Sequence, residues 1–205
     1  MDFFGIDLIT LIQTVGLAGL MLIVFAETGL FVGFFLPGDS LLFVAGLLAA
    51  PTFSTGAVLN IWTLIPAITL SAILGNVVGY GFGRKVGEAL FEREDSLLFK
   101  KHHLRKAHYF YEKYGPKVIV IARFMPIVRT FAPIVAGMAQ MNFTTFMKWN
   151  ILGAILWCTS LPLLGYTLGS TVTNIDRYIL PIIIAIIFLS ILPGIITYIR
   201  ERRKK

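Results

Sequence analysis

The stretch Val118-Ile119-Val120-Ile121-Ala122-Arg123-Phe124-Met125-Pro126-Ile127-Val128-Arg129-Thr130-Phe131-Ala132-Pro133 decides how the rest of the chain reads. It is apolar enough to enter a bilayer, yet it carries two arginines and two prolines. Proline removes a backbone donor and breaks a helix interior, and a charge at the bilayer centre costs roughly 2.5–3.5 kcal/mol on insertion scales. A plain membrane-crossing helix accommodates neither well. Upstream, Glu27 and Asp39 lie in comparable apolar sequence, Asp39 beside Pro37-Gly38. Four such charges add about 10 kcal/mol or more unless they pair or do work. They are the candidate functional residues.

The surrounding composition is that of an integral membrane protein: 205 residues, 57% hydrophobic and only 14% charged, with mean hydropathy +0.81. Soluble domains are about a quarter charged. Segments 61–83, 143–170 and 178–199 are each long enough to cross a hydrocarbon core of about 30 Å, which takes about 20 residues. The first ten residues carry only Asp2 and Asp7 as charges, so no cleaved signal peptide is expected. Cys158 is the sole cysteine, which excludes an intramolecular disulfide and a cysteine metal cluster.

Charge sets the expected topology. Residues 84–117 hold nine of the 18 Lys and Arg residues and the tail 200–205 holds five more. Basic segments stay in the cytoplasm, so both are expected there. Two cytoplasmic ends require an even number of crossings between them, and three apolar stretches intervene. The stretch 118–140, broken by Pro126 and Pro133, is therefore expected to turn back as a re-entrant hairpin, with its tip shielded by protein or facing a watery cavity. Residues 97–115 read as an amphipathic surface helix or as an ordinary basic loop. His102, His103 and His108 in this segment lack the partners of a metal site.

The chain also looks duplicated. Val44-Ala45-Gly46 recurs as Val135-Ala136-Gly137 and Gly79-Tyr80-x-x-Gly83 recurs as Gly165-Tyr166-x-x-Gly169, with a proline-broken segment before each triplet. Helix 61–83 leads into the basic segment and 143–170 leads away from it, so the halves have opposite orientation. Inverted repeats with broken helices near the midplane are a common transporter plan. By this symmetry 16–50 is a first hairpin entered from outside, although residues 8–50 have room for one crossing and a tight hairpin instead. The expected halves are 16–83 (hairpin 16–50, helix 61–83) and 118–170 (hairpin 118–140, helix 143–170), followed by helix 178–199.

The chemistry available is anion recognition. Arg123 and Arg129 lie six residues apart across Pro126, and their planar forks suit phosphate or carboxylate oxygens. Broken helices add free N–H groups that attract anions. Glu27 and Asp39 either neutralise the arginines in structural pairs or exchange protons as an anionic ligand comes and goes. Pro37, Gly38, Pro126 and Pro133 are the expected hairpin breakers. Gly75, Gly79, Gly83 and Gly87, with Gly165 and Gly169, are expected to let helices approach closely. Asn76 either lines the cavity or bonds to a neighbouring helix. Trp149 and Lys148 suit the membrane interface, and Trp157 reads as packing. No serine elbow, Walker loop or metalloprotease helix is present, so an enzyme is not expected, nor are a cofactor, a metal or a nucleic-acid partner.

Glu27-Thr28-Gly29, Phe35-Leu36-Pro37-Gly38-Asp39-Ser40, Gly79-Tyr80-x-x-Gly83-Arg84 and Arg123-Phe124-x-Pro126-x-x-Arg129 together resemble the DedA family over nearly the whole chain. The resemblance implies an all-α inner-membrane protein with two opposed re-entrant hairpins, similar to eukaryotic scramblases with a VTT domain. It implies transport of undecaprenyl (polyprenyl) phosphate in support of cell-envelope synthesis. It also implies essential roles for two acids and two arginines, which fall on Glu27, Asp39, Arg123 and Arg129. The residues themselves require only an anionic, amphiphilic substrate. The resulting expectation is a flippase in which Arg123 and Arg129 bind the lipid phosphate while Glu27 and Asp39 couple transport to protons. The alternatives are a proton-coupled exporter of ions or small cationic drugs and a non-transporting membrane organiser. Homo-oligomerisation is left open.

Overall fold

A computed structural model describes residues 2–3, 6–30, 38–51, 59–92, 115–172 and 181. Pro37, the histidines, the surface helix 97–115 apart from Gly115, helix 178–199 apart from Pro181, and the tail 200–205 lie outside the described residues.

Two residue pairs at the N-terminus, β1 (Asp2–Phe3) and β2 (Ile6–Asp7), form a short antiparallel ladder. The other elements are helices: α1 (Leu8–Gly29), α2 (Gly38–Leu48), α3 (Ile61–Glu92), α4 (Val118–Ala122), α5 (Pro126–Met138) and α6 (Phe143–Thr171). Among the described residues, three apolar helical spans are long enough to cross a membrane: Thr10–Gly29, Ile61–Gly87 and Phe143–Thr171. The first overlaps residues 16–29 of the expected hairpin 16–50. Gly16 breaks α1 with φ +59 and ψ −161, a conformation that essentially only glycine adopts, but helix follows on both sides. The third helix agrees with the expected 143–170, whereas α3 runs nine residues past the expected end at 83, through Arg84 and Lys85. Asn60 starts α3 by accepting a hydrogen bond from the Trp62 N–H at 2.8 Å, which satisfies one of the orphan donors of the first turn.

By contrast α2 has 11 residues and α5 has 13. At 1.5 Å per residue they span about 16 and 20 Å, too little to cross about 30 Å of hydrocarbon. Every residue of α2 is buried. The long helices instead expose apolar stripes. Leu70, Leu74, Val78 and Phe82 recur every four residues along α3, and Ile151, Leu152, Ile155 and Leu156 crowd the middle of α6, all exposed. Faces this apolar are stable against lipid rather than water.

The described residues fall into two compact units, one drawn from Met1–Ile23, Leu36–Leu70 and Leu156–Lys205, the other from Val24–Phe35 and Ser71–Ile155. In the first unit α2 packs on α6. A Cβ on Gly46 would overlap the Pro162 carbonyl oxygen, and one on Gly165 would overlap the Phe43 carbonyl oxygen and stand 3.0 Å from the Leu47 nitrogen. In the second unit α5 packs on α3 by the same reciprocal contact. A Cβ on Gly137 would overlap the Tyr80 carbonyl oxygen, and one on Gly83 would overlap that of Ile134. Each glycine rests on a carbonyl three residues before its partner glycine. Gly83, not Gly79, is thus the counterpart of Gly165, one helical turn away from the sequence match.

Gly75 and Gly87 are also close contacts, against Phe25–Gly29 and Met138 respectively. A Cβ on Gly79, however, would meet Pro133 at 3.5 Å and Gly29 at 3.6 Å. That is ordinary packing, so close approach does not require glycine at 79. Gly169 lies against Leu47 and Ala50. The second unit is closed by the Tyr80 ring, stacked on Phe146 with centroids 4.5 Å apart, while its hydroxyl donates to the Met141 carbonyl.

Candidate functional site

The charged stretch folds as its prolines dictate, with one exception. The chain leaves α4 through successive tight bonds, Arg123 N–H to Val120 O at 3.2 Å, Phe124 N–H to Ile121 O at 3.1 Å and Met125 N–H to Ala122 O at 3.0 Å. These i→i−3 bonds are of the 3₁₀ type. Met125 then turns extended, φ −119 and ψ 106, and Pro126 begins α5. A residue before proline is driven out of the helical region, and proline at the first helical position loses no bond. Gly38 similarly opens α2. Pro133 is the exception. It lies inside α5, which continues to Met138, so it does not break the segment; its ring packs toward Gly79 and only one internal hydrogen bond is lost.

Arg129, on the second turn of α5, donates through Nη2 to the Glu27 Oε1 at the end of α1. The side chains are 6% and 0% exposed, so the pair is fully withdrawn from the surface. Removing one member of a buried ion pair is far more costly than exchanging both.

Arg123 is held in the same unit by a different set of groups. Its Nη2 donates to the Asn150 Oδ1 at 2.6 Å and to the Ala72 carbonyl at 3.2 Å. Asn150 donates in turn to the Ile73 carbonyl at 3.2 Å, and Asn76 Nδ2 lies 3.0 Å from Asn150 Oδ1. With its amide reversed, Asn76 accepts from Arg123 Nη2 at 2.9 Å and donates to the Thr28 carbonyl at 3.1 Å. The first orientation ties α3 to α6, and the second ties α3 to Arg123 and to α1. Thus Arg123 and Arg129 sit in one unit, Arg129 on Glu27 and Arg123 on Asn150 and Ala72.

Asp39 belongs to the other unit. It lies in the first turn of α2, where the helix dipole favours a carboxylate, and its Oδ1 accepts from Trp157 Nε1 at 2.9 Å. Trp157 is buried, as its reading as a packing residue required, but its ring nitrogen also binds a candidate site residue. A buried indole N–H normally finds such a partner.

Two residues at the site were not singled out from sequence. Asn150 is buried, a polar side chain at mid-helix whose cost in apolar surroundings was itself the signal. Gly153 lies one turn further along α6 and makes room for Arg123: a Cβ there would stand 3.0 Å from Arg123 Cδ and 3.3 Å from its Nε. Cys158 is buried. Among the described residues no group of three or more His, Cys, Asp and Glu is placed to hold a metal ion.

The family model described as the VTT domain matches residues 36–167. The protein named DedA from Escherichia coli K12 is 47% identical over 184 residues, covering 90% of this chain and 82% of that protein. A membrane protein of Mycobacterium tuberculosis H37Rv is 43% identical over 189 residues, covering 92% and 81%. The inner membrane protein YqjA of Escherichia coli K12 is 36% identical over 152 residues, covering 74% and 67%. No solved structure matches the chain at significance.

Proposed function

This chain belongs to the DedA family of VTT-domain membrane proteins, and on that premise we propose that it moves undecaprenyl (polyprenyl) phosphate across the inner membrane, coupled to the proton gradient. The observation that carries the reading is the burial of Arg123 and Arg129, 2% and 6% exposed, on either side of a helix break in an apolar unit. Guanidinium forks match phosphate oxygens bidentately. In this scheme the lipid phosphate displaces Glu27 from Arg129, and Glu27 takes up the proton that keeps the site neutral. Asp39 plays the corresponding part at the head of α2. The polyprenyl tail stays against the exposed apolar faces of α3 and α6.

The halves 16–83 and 118–170 are proposed to be inverted copies whose short helices, α2 and α5, are arms of the re-entrant hairpins 16–50 and 118–140. The reciprocal glycine contacts recurring in both units support this. Residues 84–117 and the C-terminal tail are assigned to the cytoplasm by their positive charge. Membrane lipid, polyprenyl phosphate and protons are then the partners, and no step calls for a cofactor or for covalent catalysis.

The Glu27–Arg129 ion pair also favours a second reading, a membrane organiser in which the buried charges only hold helices together. The variant Glu27→Gln/Arg129→Gln separates the two. It removes the charges together and retains hydrogen-bonding groups, so an organiser keeps its cellular function. A transporter, inserted in the same amount, loses movement of polyprenyl phosphate in proteoliposomes.

A further inference from the structure

We infer that Asn150 and Gly153 of α6, with Asn76 of α3, are positioning residues that fix the Arg123 fork for an anionic head group. The identity of the ligand rests on the transport reading; the cradle rests on geometry alone. An arginine side chain is long and rotamer-rich, and a site that recognises an anion gains by ordering it beforehand. Arg123 is ordered from two helices. Asn150, 0% exposed, accepts from Nη2 at 2.6 Å and is itself anchored on the Ile73 carbonyl at 3.2 Å. Ala72 adds a carbonyl at 3.2 Å, and Asn76, 2% exposed, donates to Asn150 Oδ1 in one amide orientation and accepts from Arg123 Nη2 in the other.

One turn from Asn150, on the same face of α6, Gly153 leaves the space taken by the arginine stem, whose Cδ would stand 3.0 Å from any Cβ. Two buried asparagines meeting at one guanidinium are costly in apolar surroundings unless bonded, and apolar residues would pack these helices equally well. An amide oxygen orients a guanidinium without cancelling its charge, whereas a carboxylate in the same place would compete with an anionic ligand.

The test uses the full chain in proteoliposomes, with undecaprenyl phosphate as the probe, and Asn150→Ala and Gly153→Ala as variants. Each should raise the half-saturating lipid concentration, by about tenfold for Asn150→Ala, the loss expected of one hydrogen bond to a charged group. The maximal rate should be retained within about twofold, since binding of the head group is weakened equally throughout the cycle. A lowered maximal rate at unchanged half-saturation would assign both residues a merely structural role and overturn the inference. In parallel, melting temperatures in detergent are measured for each variant alone and with Arg123→Ala. Non-additive shifts support the cradle, and additive shifts overturn it. If the wild type moves no undecaprenyl phosphate, the transport reading fails, and the melting cycle by itself decides whether these residues hold Arg123.

Discussion

Two glycines one turn apart on α3 should respond in opposite ways to the same methyl group. A Cβ on Gly83 would overlap the Ile134 carbonyl oxygen and stand 2.7 Å from the carbonyl carbon and 2.8 Å from Cα. Non-bonded carbons settle at about 3.5–4.0 Å, so α5 must retreat by about 1 Å along the contact with Gly83→Ala. Because the obstructing atoms are backbone, no side chain can rotate aside. Overpacking of this kind costs about 1–3 kcal/mol, and the better helix propensity of alanine returns at most about 1 kcal/mol. At Gly79 the nearest atom would be 3.5 Å away, so Gly79→Ala should be neutral or stabilising by up to about 1 kcal/mol. Thermal unfolding of the detergent-solubilised protein reads the contrast. With about 2–4 °C per kcal/mol for a chain of this size, Gly83→Ala should melt several degrees below wild type and Gly79→Ala at or slightly above it. Equal loss in both variants would refute the close α3–α5 contact at Gly83, and with it the reciprocal lock.

Arg129→Gln alone leaves a buried Glu27 without its guanidinium and should cost about 3–5 kcal/mol, whereas adding Glu27→Gln should recover most of that stability, as read by detergent melting. Trp157→Phe removes the donor 2.9 Å from Asp39 and should lower stability by about 1.5–3 kcal/mol while reducing transport in the direction of Asp39→Asn. Asn60→Ala removes the cap of α3 and should cost about 1 kcal/mol in the same melting assay, with transport unchanged. Cys158, 0% exposed, should react with a maleimide only after unfolding, followed by mass shift.

Much of this architecture could be read from the residues because lipid imposes long apolar runs and proline marks breaks. Helices 61–83 and 143–170 needed only length and hydropathy, and the break at Pro126 follows from a missing donor. The errors have local causes. Pro133 reads as a breaker, but α5 continues through it to Met138, with one internal hydrogen bond lost. Gly79 and Gly83 look alike in sequence, since both lie on one face at four-residue spacing. Only the position of α5 separates them.

The tyrosines drew the repeat match one turn out of register, whereas the contact that recurs is glycine against carbonyl. Glu27 with Arg129 was anticipated as a pairing of types, since buried opposite charges attract. Which residues hold Arg123 was not legible, because Asn150 and Gly153 come from a distant helix with no motif of their own. The burial of Trp157 follows from its place in an apolar helix, whereas the role of its ring nitrogen depends on where α2 places Asp39.

The central claim is that buried arginines bind a lipid phosphate and that protons drive its movement. Its most direct test follows polyprenyl phosphate across proteoliposome membranes under an imposed pH gradient, for wild type, Arg123→Ala and Arg129→Ala at equal insertion. The account requires gradient-dependent movement by the wild type that is lost in both variants. Movement that persists in both variants, or a wild type that moves none with or without the gradient, would contradict it.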